Sequence, residues 1–359
     1  MPGLHIKSNV IRRITISLIA FSLTPPCKVS AQIQLADLGE TLSAESSPDR
    51  VYQPGWAGYI LYAPDQVPLQ IPQNRFQTIE ADWTVPSALP TINCDDKHEQ
   101  TDGSSIWIGL DGWSSTFTGP DGSISSDVLQ AGTETDVPCW NGISLPATAY
   151  FWIEWDGTQN IPVTKGHQTL PLNPGDQVHV RITADTTKPS PWRRATVYFE
   201  DKATHQSYTT TFDSGCVICT GSHREWATLF GNTAEWVVET TFYSSGHPSW
   251  PNTLDNFGNV EVTNISVTDD QGITYTPGDP GAASQEIDWM TWKGHPLADG
   301  DTLLACAAIT GSRAVTLSRA PYKIVTPGHQ GWLEPKPKNC DGTIQPPASP
   351  ETDAGLSLR

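Results

Sequence analysis

Thr233-Ala-Glu-Trp-Val-Val-Glu239 reads as one β-strand, and its alternation sets how the rest of the chain is read. A period of two puts Thr233, Glu235, Val237 and Glu239 on one face, with Ala234, Trp236, Val238 and, further on, Phe242 on the other. The apolar row can enter a core. The glutamate row is left to solvent or to a groove, where a carboxylate can act as acid or base. Asp127-Val-Leu-Gln-Ala-Gly132 repeats the form, with one polar side chain in apolar company. In Ser105-Ile-Trp-Ile-Gly-Leu-Asp111, Ile106, Ile108 and Leu110 oppose Ser105, Trp107, Gly109 and Asp111. Tyr150, Trp152 and Glu154 likewise oppose Phe151, Ile153 and Trp155. Three strands therefore pair an aromatic or apolar row with acid on the side away from the aliphatic core. Aromatics beside carboxylates describe a ligand groove without naming the ligand.

From Trp56 onward the chain is a succession of short strand-like runs broken by Gly, Pro, Asp and Asn, and no stretch sustains a helical period over three turns. That pattern predicts an all-β fold, a sandwich or barrel. Met1–Ala31 has the form of a secretory signal: Lys7, Arg12 and Arg13, a short apolar run from Ile14 to Leu23, and Val29-Ser-Ala31 as a small-residue cleavage site. The run is too short to span a bilayer. Residues 32–53 read as a linker or short pro-segment, 54–330 as a single domain, and 331–359, rich in Pro, Ser and acid, as a disordered tail. The expected product is a secreted monomer.

Lys and Arg total 21 against 39 Asp and Glu, a net charge of −18. That balance excludes nucleic acid and anionic membrane surfaces as partners, since both need a basic face. Beyond the signal lie Cys94, Cys139, Cys216, Cys219, Cys306 and Cys340. An even number in an exported chain implies disulfides, and the pairing stays open, with Cys94–Cys139 and Cys306–Cys340 the neighbours in sequence. Cys216-Val-Ile-Cys219 with His223 has metal-like spacing but no fourth ligand, so neither metal nor cofactor is expected. The histidines are scattered and read as surface residues.

Several of these motifs together resemble the glutamic peptidases of the eqolisin family (peptidase family G1). They are Trp56-Ala-Gly58, Ala81-Asp-Trp-Thr-Val-Pro86, Trp107-Ile-Gly-Leu-Asp-Gly112, Leu129-Gln-Ala-Gly132, Trp152-Ile-Glu-Trp155, Thr233 to Glu239 and Phe257 to Asn264, in family order. The resemblance implies an antiparallel β-sandwich of two long bent sheets, of the concanavalin or jelly-roll type. It also implies polypeptide substrates, a catalytic pair at Gln130 and Glu239, and Ser105, Trp107, Asp111 and Glu154 lining or supporting the site. Glu235 joins them by alternation. The chemistry is self-sufficient: Glu239 takes a proton from water, Gln130 donates to the developing oxyanion, and no metal is required. An ordinary carboxyl pKa, near 4.3, predicts activity on the acid side. Two rivals use the same face. A glycoside hydrolase would employ Glu154, Glu235 and Glu239 and give Gln130 no role; a carbohydrate-binding module would need only the aromatics.

Overall fold

The computed structural model describes residues within 49–340. Segments 65–73, 92–93, 95–100, 113–116, 119–123, 126–127, 156–160, 166–167, 171, 188–191, 215, 221–222, 227, 242–253, 278, 280–284, 292–294, 298–300, 325–332 and 335–338 lie outside that description. Several short strands are described by backbone alone. The expected signal, most of the linker, the tail, Phe242 and the side chains of Cys216 and Cys219 therefore fall outside the described residues.

Sixteen strands form one hydrogen-bonded sheet. In chain order they are β1 (Asp49–Gln53), β2 (Trp56–Tyr62), β3 (Phe76–Thr84), β4 (Asp102–Leu110), β5 (Leu129–Val137), β6 (Thr148–Trp155), β7 (Ile161–Pro162) and β8 (Gln177–Ala184). There follow β9 (Arg194–Asp201), β10 (Gln206–Asp213), β11 (Thr233–Thr240), β12 (Asn259–Asp269), β13 (Thr274–Tyr275), β14 (Gln285–Thr291), β15 (Leu303–Gly311) and β16 (Ala314–Arg319). The order across the sheet is β7-β6-β5-β4-β11-β2-β14-β15-β16-β12-β3-β8-β9-β10, with β1 beside β14 and β13 beside β12. Pairing is antiparallel except between β1 and β14. No helix interrupts the described residues apart from one isolated 3-10 position.

So long a sheet curls and packs one half on the other, the all-β sandwich expected from the strand spacing. The alternating rows of the two halves supply the core. In β8, Val178, Val180, Ile182 and Ala184 point in while His179, Arg181 and Thr183 point out. Each large aliphatic side chain buried in this way contributes about 1.5–3 kcal/mol. Trp83 of β3 crosses the sandwich and donates its indole N–H to Thr133 Oγ1 of β5 at 2.9 Å. Phe151 of β6 meets Phe199 of β9 with ring centroids 5.0 Å apart. Irregular register between β12 and β3 supplies local bending.

Disulfides join Cys94 to Cys139 and Cys306 to Cys340. His179 is not the surface residue that its isolation in sequence implies. It is largely buried, and its Nδ1 lies 2.7 Å from Asp82 Oδ1. Asp82 is also bonded by Lys202 and by Asn264. These partners outweigh desolvation and hold its carboxyl down at about 2.

Other acids are buried without such compensation. Asp255 is fully buried, and desolvation, the largest effect, pushes its carboxyl well above the usual range despite Arg319 nearby. Asp288 is also fully buried; desolvation and the neighbouring Glu286 push it far up. A carboxyl raised on folding binds its proton more tightly in the native state than in the unfolded chain. The stability this gives is full below the unfolded value near 3.9 and is lost as pH climbs through the native values. Asp82 acts in the opposite sense, losing its contribution as pH falls toward 2. We expect maximal stability near pH 4. The urea midpoint should fall by on the order of 1 M between pH 4 and pH 8; an equal or higher midpoint at pH 8 would contradict the burial of these acids as protonated groups.

Candidate active site

The half-sheet β6-β5-β4-β11-β2-β14 has a second face, turned away from the main core, and strand register lays its side chains out in rows. One row reads Glu154, Gln130, Gly109, Glu235, Ile60 and Glu286 across β6, β5, β4, β11, β2 and β14. The next reads Trp152, Gly132, Trp107, Val237, Gly58 and Asp288. The third reads Tyr150, Glu134, Ser105, Glu239 and Trp56. Carboxyl rows thus flank a row of aromatics and glycines. Trp107, Trp152 and Val237 form a small apolar cluster of their own, separate from the main core, with Trp56, Val128 and Tyr150 against it.

The indole of Trp107 organises this face. Its Nε1–H donates to Glu239 Oε2 at 3.0 Å. Two glycines beside it leave no room for a side chain of their own. A Cβ on Gly132 would come within 2.6 Å of Trp107 Cβ and 2.1 Å of the Ile106 carbonyl oxygen, and one on Gly109 within 2.8 Å of Trp107 Cζ3. Those contacts are too short for any real Cβ. Glycine at 109 is therefore a steric requirement of the indole, and glycine at 132 one of the close approach of β5 to the Ile106–Trp107 backbone.

Glu239 is partly buried. Desolvation pushes its carboxyl up to about 7; the Trp107 donor pulls the other way, while Glu154 and Glu134 add repulsion. Glu134 is itself pushed up to about 7, by burial first and then by Asp136, against a hydrogen bond from Tyr150. Burial lifts Asp136 to about 6. Gln130, two rows from Glu239 along the strands, has a buried Oε1 that accepts no hydrogen bond from the described residues. Glu235 is buried and accepts from Thr233 Oγ1 at 3.2 Å.

Gln130, Glu239, Trp107, Ser105, Glu154 and Glu235 therefore share one face. Asp111 does not. It follows β4 in a left-handed conformation (φ 64°) and its carboxylate accepts the backbone N–H groups of Phe230 (2.5 Å), Gly231 (3.1 Å) and Asn232 (2.6 Å). Burial lifts this carboxyl to about 6 against those donors. Its work is to anchor the turn that leads into β11. Reading the sequence row to its end would have added Glu134 and Asp136, which continue the alternation from Gln130. A cavity of about 590 Å³ lies on the other half, lined by Asp82, Thr84, Gln177, Lys202, Glu261 and Asn264 among others, and includes none of the site residues. Its lysine is already engaged by Asp82, so the chemically poised groups are those around Trp107. Among the described residues no cluster of His, Cys, Asp and Glu could hold a metal ion.

The profile described as the Peptidase A4 family matches residues 54–319. No curated protein matches the chain significantly. Among solved structures, scytalido-glutamic peptidase bound to a transition-state analogue inhibitor is similar in fold, at 18% identity and TM-score 0.50, over 75% of this chain and 100% of that one. SCP-B, of the eqolisin family, in complex with the tripeptide Ala-Ile-His, is 18% identical over 75% of this chain and all of that one, with TM-score 0.44. Aspergilloglutamic peptidase from Aspergillus niger is 21% identical over 61% and 99% of the two chains, with TM-score 0.40.

The indole donor has a measurable consequence. An N–H directed at a carboxylate favours the charged form, so Trp107→Phe should raise the Glu239 pKa above about 7. Carboxyl carbon shifts of Glu239, followed by NMR against pH, measure this; an unchanged midpoint would remove the hydrogen bond from the account.

Proposed function

Because the chain belongs to the Peptidase A4 family, the glutamic endopeptidases of the eqolisin type, we propose that Glu239 and Gln130 are its catalytic pair and that it hydrolyses polypeptides outside the cell. The observation that carries this reading is the fixed Glu239 carboxyl, bonded to Trp107 and sharing one face with Gln130. Ionised Glu239 accepts a proton from a water molecule, whose oxygen attacks the scissile carbonyl carbon. The Gln130 amide N–H₂ donates to the oxygen that gains negative charge. Glu239 then passes the proton to the leaving amine, and the peptide C–N bond breaks. Trp107 holds one carboxyl oxygen in place, which leaves the other for proton transfer. Glu154, Glu134 and Glu235 tune and support the pair. Two disulfides fit an oxidising, extracellular setting.

The raised Glu239 carboxyl changes the expectation from an ordinary pKa near 4.3. A base with a value up to about 7 is stronger once ionised, but its ionised fraction shrinks as pH falls. As pH climbs, buried Asp255 and Asp288 lose the protons that suit their sites. The working range is thus bounded below by protonation of the base, and stability declines above it as the buried acids ionise. A carboxyl raised this far moves the expected optimum up from the acid value of an ordinary glutamate toward neutrality.

Hydrolysis of denatured protein between pH 2 and pH 8 tests the assignment. Glu239→Gln should lower kcat by roughly 10²–10⁴-fold and Gln130→Ala by roughly 10²–10³-fold, both in folded protein. A mild effect of Gln130→Ala would return the face to chemistry that does not need an oxyanion donor. Separately, Glu154→Gln removes one repelling charge, so the acid limb of kcat/KM should move to lower pH. A limb that stays in place would mean that Glu239 does not set it.

A further inference from the structure

Beyond the catalytic rows, strand β5 runs on into a feature that the reaction does not use. Cys139–Trp140 and Ile143–Ser144 form a tight hairpin. Its turn, Asn141-Gly142, has both φ angles positive (49° and 72°), which matches the twist of a two-residue hairpin. The Leu145 N–H donates to the Pro138 carbonyl at 2.8 Å, and the Cys94–Cys139 disulfide ties the base to the chain before β4. Such a hairpin is held in place, yet its side chains are not packed. Trp140 is 60% exposed and Ile143 62%, although the two are cross-strand partners, and Leu145 beside them is 42% exposed.

The orientation follows from register. In β5 the even-numbered residues Gln130, Gly132, Glu134 and Asp136 lie on the site face, and alternation brings Trp140 into the same row. On the returning strand the count changes. Asp136 pairs with Thr148, whereas Cys139 pairs with Ser144, so three steps out are matched by four steps back. The extra residue is a bulge, and it turns Ile143 and Leu145 to the side of Trp140. An apolar platform therefore continues the site face past its acidic end, about 33 Å from Gln130 at about 3.3 Å per residue.

We propose that the Trp140, Ile143 and Leu145 platform is an exosite that binds an apolar side chain of a long, extended polypeptide substrate, about six residues along the substrate from the carboxyl of Glu239, which lies level with Glu134. The proposal rests on the peptidase reading. Its occupant follows from the page: the platform is continuous with the substrate face, and a large net negative charge disfavours an anionic lipid surface. An exposed tryptophan held by a disulfide-tied hairpin offers contact area with little ordering cost on binding.

The test compares two substrates and two proteins at one acid pH. A short peptide that reaches only the rows around Glu239 and a long denatured polypeptide are cleaved by the wild type and by the Trp140→Ser/Ile143→Ser double variant. KM for the long substrate should rise about tenfold with kcat unchanged, and kcat/KM for the short peptide should stay within about twofold. Trp140→Phe should restore most of the long-substrate KM. Equal losses on both substrates, or no loss on either, would overturn the exosite while leaving the peptidase intact. A wild-type dimer that the double variant dissolves, with unchanged long-substrate KM, would overturn it in favour of a second copy of the chain. Cleavage of neither substrate by folded wild type would remove the peptidase reading and the exosite with it.

Discussion

The site depends on one constraint: an indole laid flat on a β-sheet, with its only polar atom directed at a carboxyl. Trp107 can do this because Gly109, further along its own strand, leaves space that the ring fills, while Gly132 across from it lets the β5 backbone come close. The hydrogen bond to Glu239 is charge-assisted when the carboxyl is ionised, a class worth about 1.5–3 kcal/mol. Strand pairing holds both residues, since Val237 lies opposite Trp107 and Glu239 opposite Ser105. The direction of the Glu239 carboxyl is thus set by backbone register, which is far stiffer than a loop.

That arrangement puts acids where water is scarce. Glu239, Glu134 and Asp136 are all raised by desolvation, as are Asp288 further along the same face and Asp255 elsewhere in the fold. No lysine or arginine stands in the three rows of the site face, and neutral donors such as Trp107 and Tyr150 offset the burial of these carboxyls only in part, so protonation relieves the rest. The contrast with Asp82 is instructive. That carboxyl is also largely buried, but a histidine, a lysine and an amide meet it, and it stays ionised far into acid. One half of the molecule solves buried charge with partners and the other with protons, and only the second solution keeps a carboxyl near the point of proton exchange.

Much of this was legible in the sequence because strands write their faces in alternate residues. The rows of Ser105–Asp111, Tyr150–Trp155 and Thr233–Glu239 separate core from site without any structure, and the family motifs fall on those same positions. Other features were hidden for definite reasons. Asp111 shares parity with Trp107, yet a left-handed turn after β4 carries it off the face to cap the N–H groups of Phe230 to Asn232. Alternation predicts a direction only while the backbone stays extended. Glu134 and Asp136 were within reach of the same rule and simply lie past the motif that drew attention. The pKa of Glu239 was out of reach, because desolvation comes from side chains on neighbouring strands that are distant in sequence.

Register also explains why the two ends of β5 have different surroundings. Between Leu129 and Val137 the strand is paired on both sides, with β4 and β6, and its outward side chains are crowded into rows that raise carboxyls and bury aromatics. Past Val137 the described residues beside it are the returning arm of its own hairpin, one residue out of step with β6, and Cys94 across the disulfide. Trp140 is consequently left in solvent, where a tryptophan in the middle of the sheet such as Trp107 or Trp152 is covered. The same alternation thus yields a buried, electrostatically tuned site at one end and an exposed apolar surface at the other. Among the described residues, what separates them is the loss of pairing with β4 and β6, without any change in the pattern of the residues.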